Sequence, residues 1–305
     1  MIKRWWIYLS GLCLSVLIFW AASASRIGPL ESCLVSCSHP DPEIDNNLRF
    51  ISFNMLHGFP RFEGLRSRVD LITEEILRLF PDIVCLQEVP WTVFTGSVSN
   101  LISEQTMMNY VYLPANGNRW AILFSEGEAI LSKFPLKDIS YNELKPKPGW
   151  FEHRVVLHAT VRHPRAEIHV FCTHLTGRDS DINQGQVASL YEFVKEIDGA
   201  ISLIAGDFNA VESSPQINLL ASSWIDAYRH VHPSDEGKTC CIDQPGYFSQ
   251  DENEERIDYI FVAGREIDRI NIIDSRQIFT QPYSSTSGAY WLSDHAGLMV
   301  EIELQ

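Results

Sequence analysis

Positive charge is what this chain has least of. Its 24 Lys and Arg stand against 39 Asp and Glu, a formal net charge of −15 over 305 residues. Beyond Lys3-Arg4 no basic cluster occurs. A polyanion is repelled by such a surface unless a local basic groove or a bound cation intervenes, which argues against tight, non-specific nucleic-acid binding. Paired C-x-x-C spacings are absent as well, and that disfavours a structural zinc site. No internal repeat or low-complexity tract is present, so a repeat array is not in question.

The seven cysteines are scattered. Cys13 lies in the apolar start of the chain. Cys85 and Cys172 sit inside apolar strand runs and read as buried small hydrophobes. Cys33 and Cys37 fall in a polar stretch, and Cys240-Cys241 are adjacent in a loop. A disulfide across a strand or from that loop stays open, because sequence does not assign connectivity.

Lys3-Arg4 followed by Trp5 to Trp20 gives a charged start and an apolar core, and Ala22-Ser23-Ala24 supplies small residues of the A-x-A type. Residues 1–24 therefore read as a secretory signal peptide or a membrane anchor, and either reading moves the chain out of the cytosol. Residues 25–47 carry Pro29, Pro40, Pro42 and several acids, and read as a tether of low structural content. The remainder, 48–305, is expected to be one domain, 45% of the chain being hydrophobic.

Within that domain, Leu65, Val69, Ile72, Ile76 and Leu79 recur at helical spacing, as do Val187, Leu190, Tyr191, Val194 and Ile197. Pro215 to Ser222 reads as a third helix. Strands are expected at Trp120–Phe124 and Glu128–Ser132, joined by Ser125-Glu126-Gly127, and at Arg154–Val161 and Ile168–Cys172. Helices interspersed with many strands indicate α/β or α+β. Residues 232–256 read as a long loop.

One stretch organises the rest. Ile201 to Ala205 is a short apolar run suited to a strand buried on both faces, and Gly206 permits close backbone approach just before a polar pair. In a continuing strand Asp207 and Asn209 share a face, while Phe208 turns into the core. Four more apolar runs end or begin in polar groups: Phe53-Asn54, Leu86-Gln87-Glu88, Cys172-Thr173-His174 and Asp258-Tyr259. Ser293-Asp294-His295 precedes the last apolar segment. So many carboxylates, histidines and asparagines at strand ends point to one site. Alone, Gly-Asp-x-Asn reads equally as a turn, and Asp258 as a surface partner of Arg256. His57, in a loop, reads as plain surface.

Taken together and in this order, these motifs resemble the endonuclease/exonuclease/phosphatase superfamily. That group spans DNase I-like nucleases, abasic-site endonucleases, bacterial sphingomyelinases and inositol-polyphosphate 5-phosphatases. The resemblance covers roughly Leu48 to Glu303. It implies a DNase I-like, four-layer sandwich of two packed β-sheets flanked by helices, with the site at one edge. It also implies a metal-dependent phosphoester hydrolase, phosphodiester cleavage being favoured. Glu88, with Asn54 and Asp294, would supply hard oxygen ligands for Mg²⁺ or Mn²⁺. Asp207 would deprotonate the water, and Asn209 would hold a non-bridging oxygen. His174 and His295 would donate to developing charge, and Asp258 would fix the His295 tautomer.

The substrate class stays open among a lipid headgroup, an inositol phosphate and a nucleic acid. Trp150-Phe151 and Tyr290-Trp291 are candidate membrane-dipping aromatics for a sphingomyelinase-like activity. Association with a membrane is a further expectation, and no obligate protein partner is indicated. The reading from another class is a non-catalytic binding module that keeps the fold.

Overall fold

The computed structural model describes residues 2–23, 25–34, 47–241, 255–285 and 288–305. Two mixed sheets face each other. The first orders its strands as Glu31–Cys33, Asn109–Asn118, Phe124–Ser132, Ile83–Thr92, Asn47–Asn54, Gly297–Leu304 and Ile270–Ile278, with Gly96–Ser97 paired beside Ile83–Thr92. The second runs Ile225–Asp226, Asp258–Ala263, Ile201–Asp207, Ala166–His174, Val155–His163 and Leu136–Glu143. Between them lies an apolar layer that includes Phe50, Ile130, Leu157, Val170, Leu203 and Val300.

Helices cover the two outer faces. Leu65–Leu79 places Val69, Ile72 and Ile76 on the first sheet, where Val98–Thr106 joins it. Its end is local chemistry: Phe80 takes φ 52° and returns its N–H to the Ile76 carbonyl, and Pro81 forbids another turn. Ser180–Ile197 and Pro215–Ala221 cover the second sheet through Val187, Leu190 and Ile217. The Asp179 carboxylate caps the first of these by accepting from the N–H groups of Asp181 and Ile182.

Each sheet contains one parallel pair joined through a helix. Asn54 lies opposite Gln87 in one, and His174 opposite Asp207 in the other. The carboxyl ends of both pairs carry the polar residues. That is why motifs far apart in sequence converge.

Several expectations differ from what is found. Trp120 to Leu123 is a turn, and the strand expected at Glu128 begins at Phe124, so Ser125-Glu126-Gly127 lies inside it. Gly127 is needed there because a Cβ would overlap the Leu113 carbonyl of the neighbouring strand. The stretch expected to be a tether is docked from residue 25 to 34. Glu31–Cys33 forms an edge strand on Tyr110–Tyr112, the Ser25 hydroxyl accepts from Gly117 N–H at 2.8 Å, and Ile27 and Leu34 pack on the core. A Pro-bearing, acidic composition is compatible with an edge strand, where one row of backbone groups faces water. Residues 35–46 and most of the long loop, 242–254, lie outside the described residues.

Cys85 and Cys172 are buried but not reduced. A disulfide joins them from one sheet to the other, their Cα atoms 5.6 Å apart. The apolar N-terminal stretch is a helix, Ile2–Ser23. Among the described residues no helix is long and apolar enough to cross a membrane.

Candidate active site

The Asp207 strand ends as Gly206 requires. Its φ is +151°, and a Cβ there would overlap the Thr173 carbonyl of the adjacent strand. Only glycine brings the two strand ends this close. The strand does not continue past Asp207: Asn209 turns to φ 49°, and its N–H donates to Asp207 Oδ1 at 2.9 Å. Phe208 is driven into the outer core. Because of that turn the Asn209 amide points back, donating to the Leu175 carbonyl at 2.9 Å and meeting His174 Nε2 at 3.1 Å. Both of its amide hydrogens have acceptors here, so Asn209 orients His174 rather than facing open space.

Asp207 is 1% exposed. Burial pushes its carboxyl up to about 7, against the pull of His295 downward and with the push of Asp258 upward. Around one of its oxygens, Oδ2, sit Asn54 Nδ2 at 3.0 Å, His174 Nε2 at 3.4 Å and His295 Nε2 at 3.6 Å. The other imidazole nitrogen of His295, Nδ1, lies 2.9 Å from Asp258 Oδ2. Burial alone would strip the proton from His295, but Asp258 and Asp207 outweigh it and hold the ring well above its ordinary value. Asp258 has no ion pair with Arg256, whose guanidinium instead grips Asp226 and Glu212 and stacks on Tyr259.

His174 is the opposite case. Burial first, and then the Arg154 charge, keep it neutral, and its Nδ1 has no hydrogen-bond partner among the described residues. Arg154 is the cation that acts on this site, and the sequence reading passed over it.

Glu88 comes from the other sheet on a bulge between Leu86 and Val89, with φ 55°. A non-glycine residue held there stores about 1–3 kcal/mol, which the surrounding contacts must offset. Burial would raise its pKa, yet the neighbouring His57 and His174 imidazoles and the His57 N–H bring it down to about 2. His57 N–H donates to Glu88 Oε2 at 3.1 Å and its Nε2 lies 3.5 Å away. So His57 belongs to the site, and its signal in the sequence was its place three residues after Asn54.

Asn54 meets the site through nitrogen. Its Nδ2 bridges Glu88 Oε1 at 3.3 Å and Asp207 Oδ2, while its Oδ1 accepts from Leu56 N–H. Asp294 is partly open; burial raises its carboxyl, and Glu88 repels it. Glu88 and Asp294 repel one another as like-charged hard oxygen donors, and a divalent cation would relieve that repulsion. Arg68 pins the frame by donating to the carbonyls of Met55, Leu56 and Leu292.

A family model described as the Endonuclease/Exonuclease/phosphatase family matches residues 51–295, the span that contains this whole constellation except its Asn47–Phe50 lead-in. The chain belongs to the endonuclease/exonuclease/phosphatase family. Members of this family are typically phosphoester hydrolases and usually use divalent metals such as Mg²⁺. Among relatives in sequence, Escherichia coli (strain K12) YbhP, itself named an uncharacterized protein, is 29% identical over 183 residues, 56% of this chain and 70% of its own. Protein angel of Drosophila melanogaster is 28% identical over 207 residues, 59% of this chain and 57% of its own.

The same family fold appears in solved structures. The family protein from Bacteroides thetaiotaomicron superposes with a TM-score of 0.65 at 17% identity, covering 85% of this chain and 98% of that one. Truncated Caenorhabditis elegans TDP2 gives 0.64 at 17%, covering 84% and 98%. These likenesses establish the two-sheet fold of the family for this chain.

Proposed function

We propose that the protein is an exported, divalent-metal-dependent phosphodiesterase in which Asp207 activates the water. The observation that carries this is the meeting at one Asp207 oxygen of Asn54 from the first sheet with His174 and His295 from the second. Asp207 has a basicity near neutrality, which suits a group that must take a proton from water and give it up again. His295, charged and steadied by Asp258, donates to a phosphoryl oxygen as charge builds there. His174 stays neutral and is turned by Asn209, so it adds a hydrogen-bond donor without adding charge. Glu88 and Asp294 are the residues that would hold Mg²⁺ or Mn²⁺, which would supply Lewis-acid polarisation of the phosphoryl or leaving oxygen, while Asn54 donates to Glu88 through its Nδ2 rather than ligating.

Hydrolysis of bis-p-nitrophenyl phosphate with Mg²⁺ or Mn²⁺, and its loss in EDTA, tests the reading. Equal rates with and without EDTA would refute it. Plasmid DNA, RNA, sphingomyelin and inositol phosphates assayed in parallel assign the substrate class.

An amphiphilic substrate is favoured over a polyanion by exposed apolar loops. Phe59, Phe94, Trp120, Leu123, Trp150 and Phe151 are left in water, Trp120 to 96% and Trp150 to 89%. Beside them Trp91, Pro114, Trp120 and Leu123 line a cavity of about 620 Å³. Side chains of this kind, left in water, suit acyl chains rather than a sugar-phosphate backbone. Export is argued from Lys3-Arg4, the apolar helix and Ala22-Ser23-Ala24. A product expressed from Met1 that stays entirely in the cytosol would overturn that part.

A further inference from the structure

Cys240 and Cys241 are joined to each other as adjacent residues, in a segment that also braces the site. Thr239 Oγ1 accepts from the N–H groups of Ile257 and Asp258, and the Thr239 carbonyl accepts from Ala296 N–H. This fixes Cys240 between the strand ends that carry Asp258 and His295. Cys240 is fully buried and Cys241 exposed. The Cys240 sulfur lies 3.5 Å from His295 Nε2, and Asp207 Oδ2 lies 3.6 Å from the same nitrogen. Asp258 holds the opposite nitrogen, Nδ1, so that in the neutral ring the Nε2 lone pair faces the sulfur. The candidate ligand atoms of Cys240, Cys241 and His295 all lie within 4.8 Å of one another.

We propose that the reduced protein binds one Zn²⁺ between Cys240, Cys241 and His295, with a water as the fourth ligand, and that this binding shuts the hydrolytic site. Two thiolates and an imidazole are soft and borderline donors that select zinc over Mg²⁺. A tetrahedral zinc with Zn–S ~2.3 Å and Zn–N ~2.0 Å places S and N ~3.5 Å apart. That is the separation already present between Cys240 and His295. A carboxylate behind the ligating histidine is the support such a ring ordinarily has, and Asp258 provides it.

The site opens by reduction. A dithiol gives two electrons and two protons to the Cys240–Cys241 bond and becomes a disulfide itself. Zn²⁺ then displaces the two thiol protons and the Nε2 proton of the charged His295 ring, leaving the Nδ1 proton with Asp258. While the disulfide stands, neither sulfur is a thiolate and zinc has no site. The zinc site rests on geometry alone; its inhibitory effect rests on the phosphodiesterase reading. His295 cannot both ligate zinc and donate to the phosphoryl oxygen, and a cation on its Nε2 would stand beside Asp207 Oδ2, 3.6 Å from that nitrogen.

The test uses the full chain, treated with dithiothreitol, freed of reductant without air, and titrated with zinc chloride against a chromogenic chelator in excess Mg²⁺. The expected result is one equivalent of zinc in the reduced wild type and none in the untreated protein or in reduced Cys241→Ser. That substitution alters an exposed side chain and keeps every other cysteine, so it also controls for thiols released elsewhere. In parallel, Asp258→Asn should weaken zinc binding ~10–100-fold by loosening the ring, and cobalt should show thiolate charge-transfer absorption only in the reduced wild type. Equal zinc uptake by reduced wild type and Cys241→Ser overturns the site. Zinc bound at one equivalent with the hydrolytic rate unchanged overturns the switch. Zinc bound by a chain that hydrolyses no phosphoester leaves the site standing and sinks the phosphodiesterase reading instead.

Discussion

Asp207→Asn and Asp258→Asn should separate two carboxylates that differ little in type and burial. In the proposed mechanism Asp207 takes the proton of the reacting water, and removing a general base costs ~10²–10⁴-fold, expected in kcat with little change in KM. Among the described residues the Asp258 carboxylate hydrogen-bonds only His295 Nδ1, at 2.9 Å, with both groups buried. A charge-assisted hydrogen bond of this kind is worth about 1.5–3 kcal/mol, or roughly 10- to 150-fold in rate at 1.36 kcal/mol per decade. Asp258→Asn alone should therefore slow kcat/KM within that range. In a His295→Ala background it should change the rate by less than about threefold, because its contribution passes through the ring and residues acting as a unit are not additive. The assay is a four-member cycle on bis-p-nitrophenyl phosphate, with circular dichroism checking that each variant folds. If the losses from Asp258→Asn and His295→Ala multiply, the pairing does no catalytic work and Asp258 acts elsewhere.

Glu88→Gln should lower activity by at least about 10²-fold and raise the Mg²⁺ concentration for half-maximal rate, with an unchanged melting curve; a wild-type Mg²⁺ dependence in that variant would refute the assignment. The His158 ring, stacked on His169 with its Nε2 3.1 Å from His169 Nδ1, is lowered to about 4 by burial and by its neighbour. The unfolded chain then binds more protons between pH 6.5 and 4, so stability falls as pH drops through that window. About 2.5 kcal/mol should be lost by pH 4.5, and urea titrations should show His158→Asn losing correspondingly less. Replacing Cys85 and Cys172 together by Ala removes a link of sequence separation 87 and should cost about 2–5 kcal/mol in the same titration; an unchanged midpoint would refute that role.

The site was legible because its residues follow apolar runs. Asn54, Glu88, His174 and Asp207 each sit where a buried strand runs out into polar surface, and that boundary is written locally. Asp258 and His295 likewise flank strands. What stayed hidden depends on partners far away in the chain. Ser125 to Gly127 looks like a turn until Leu113, Arg154 and Glu88 are placed around it. The docking of residues 25–34 is decided by a free edge at Tyr110–Tyr112. Asn54 and Asn209 were assigned their outward roles from residue type, whereas a left-handed turn at Asn209 and the Leu56 N–H at Asn54 point their groups elsewhere. The Cys85–Cys172 bond needed both sheets to be known at once.

That bond has a mechanical meaning. The site is assembled from two plates: Asn54 and Glu88 ride on one, and His174 and Asp207 on the other. An apolar interlayer resists being pulled apart far better than it resists sliding, since a small shear exposes little surface. Yet a displacement of about 1 Å is enough to cost ~10²-fold in rate, and shear would stretch the Asn54–Asp207 contact directly. The disulfide is placed as a rivet against that motion, three residues before Glu88 on one plate and two before His174 on the other. Its severing would loosen the alignment of the plates well before it unfolded either of them.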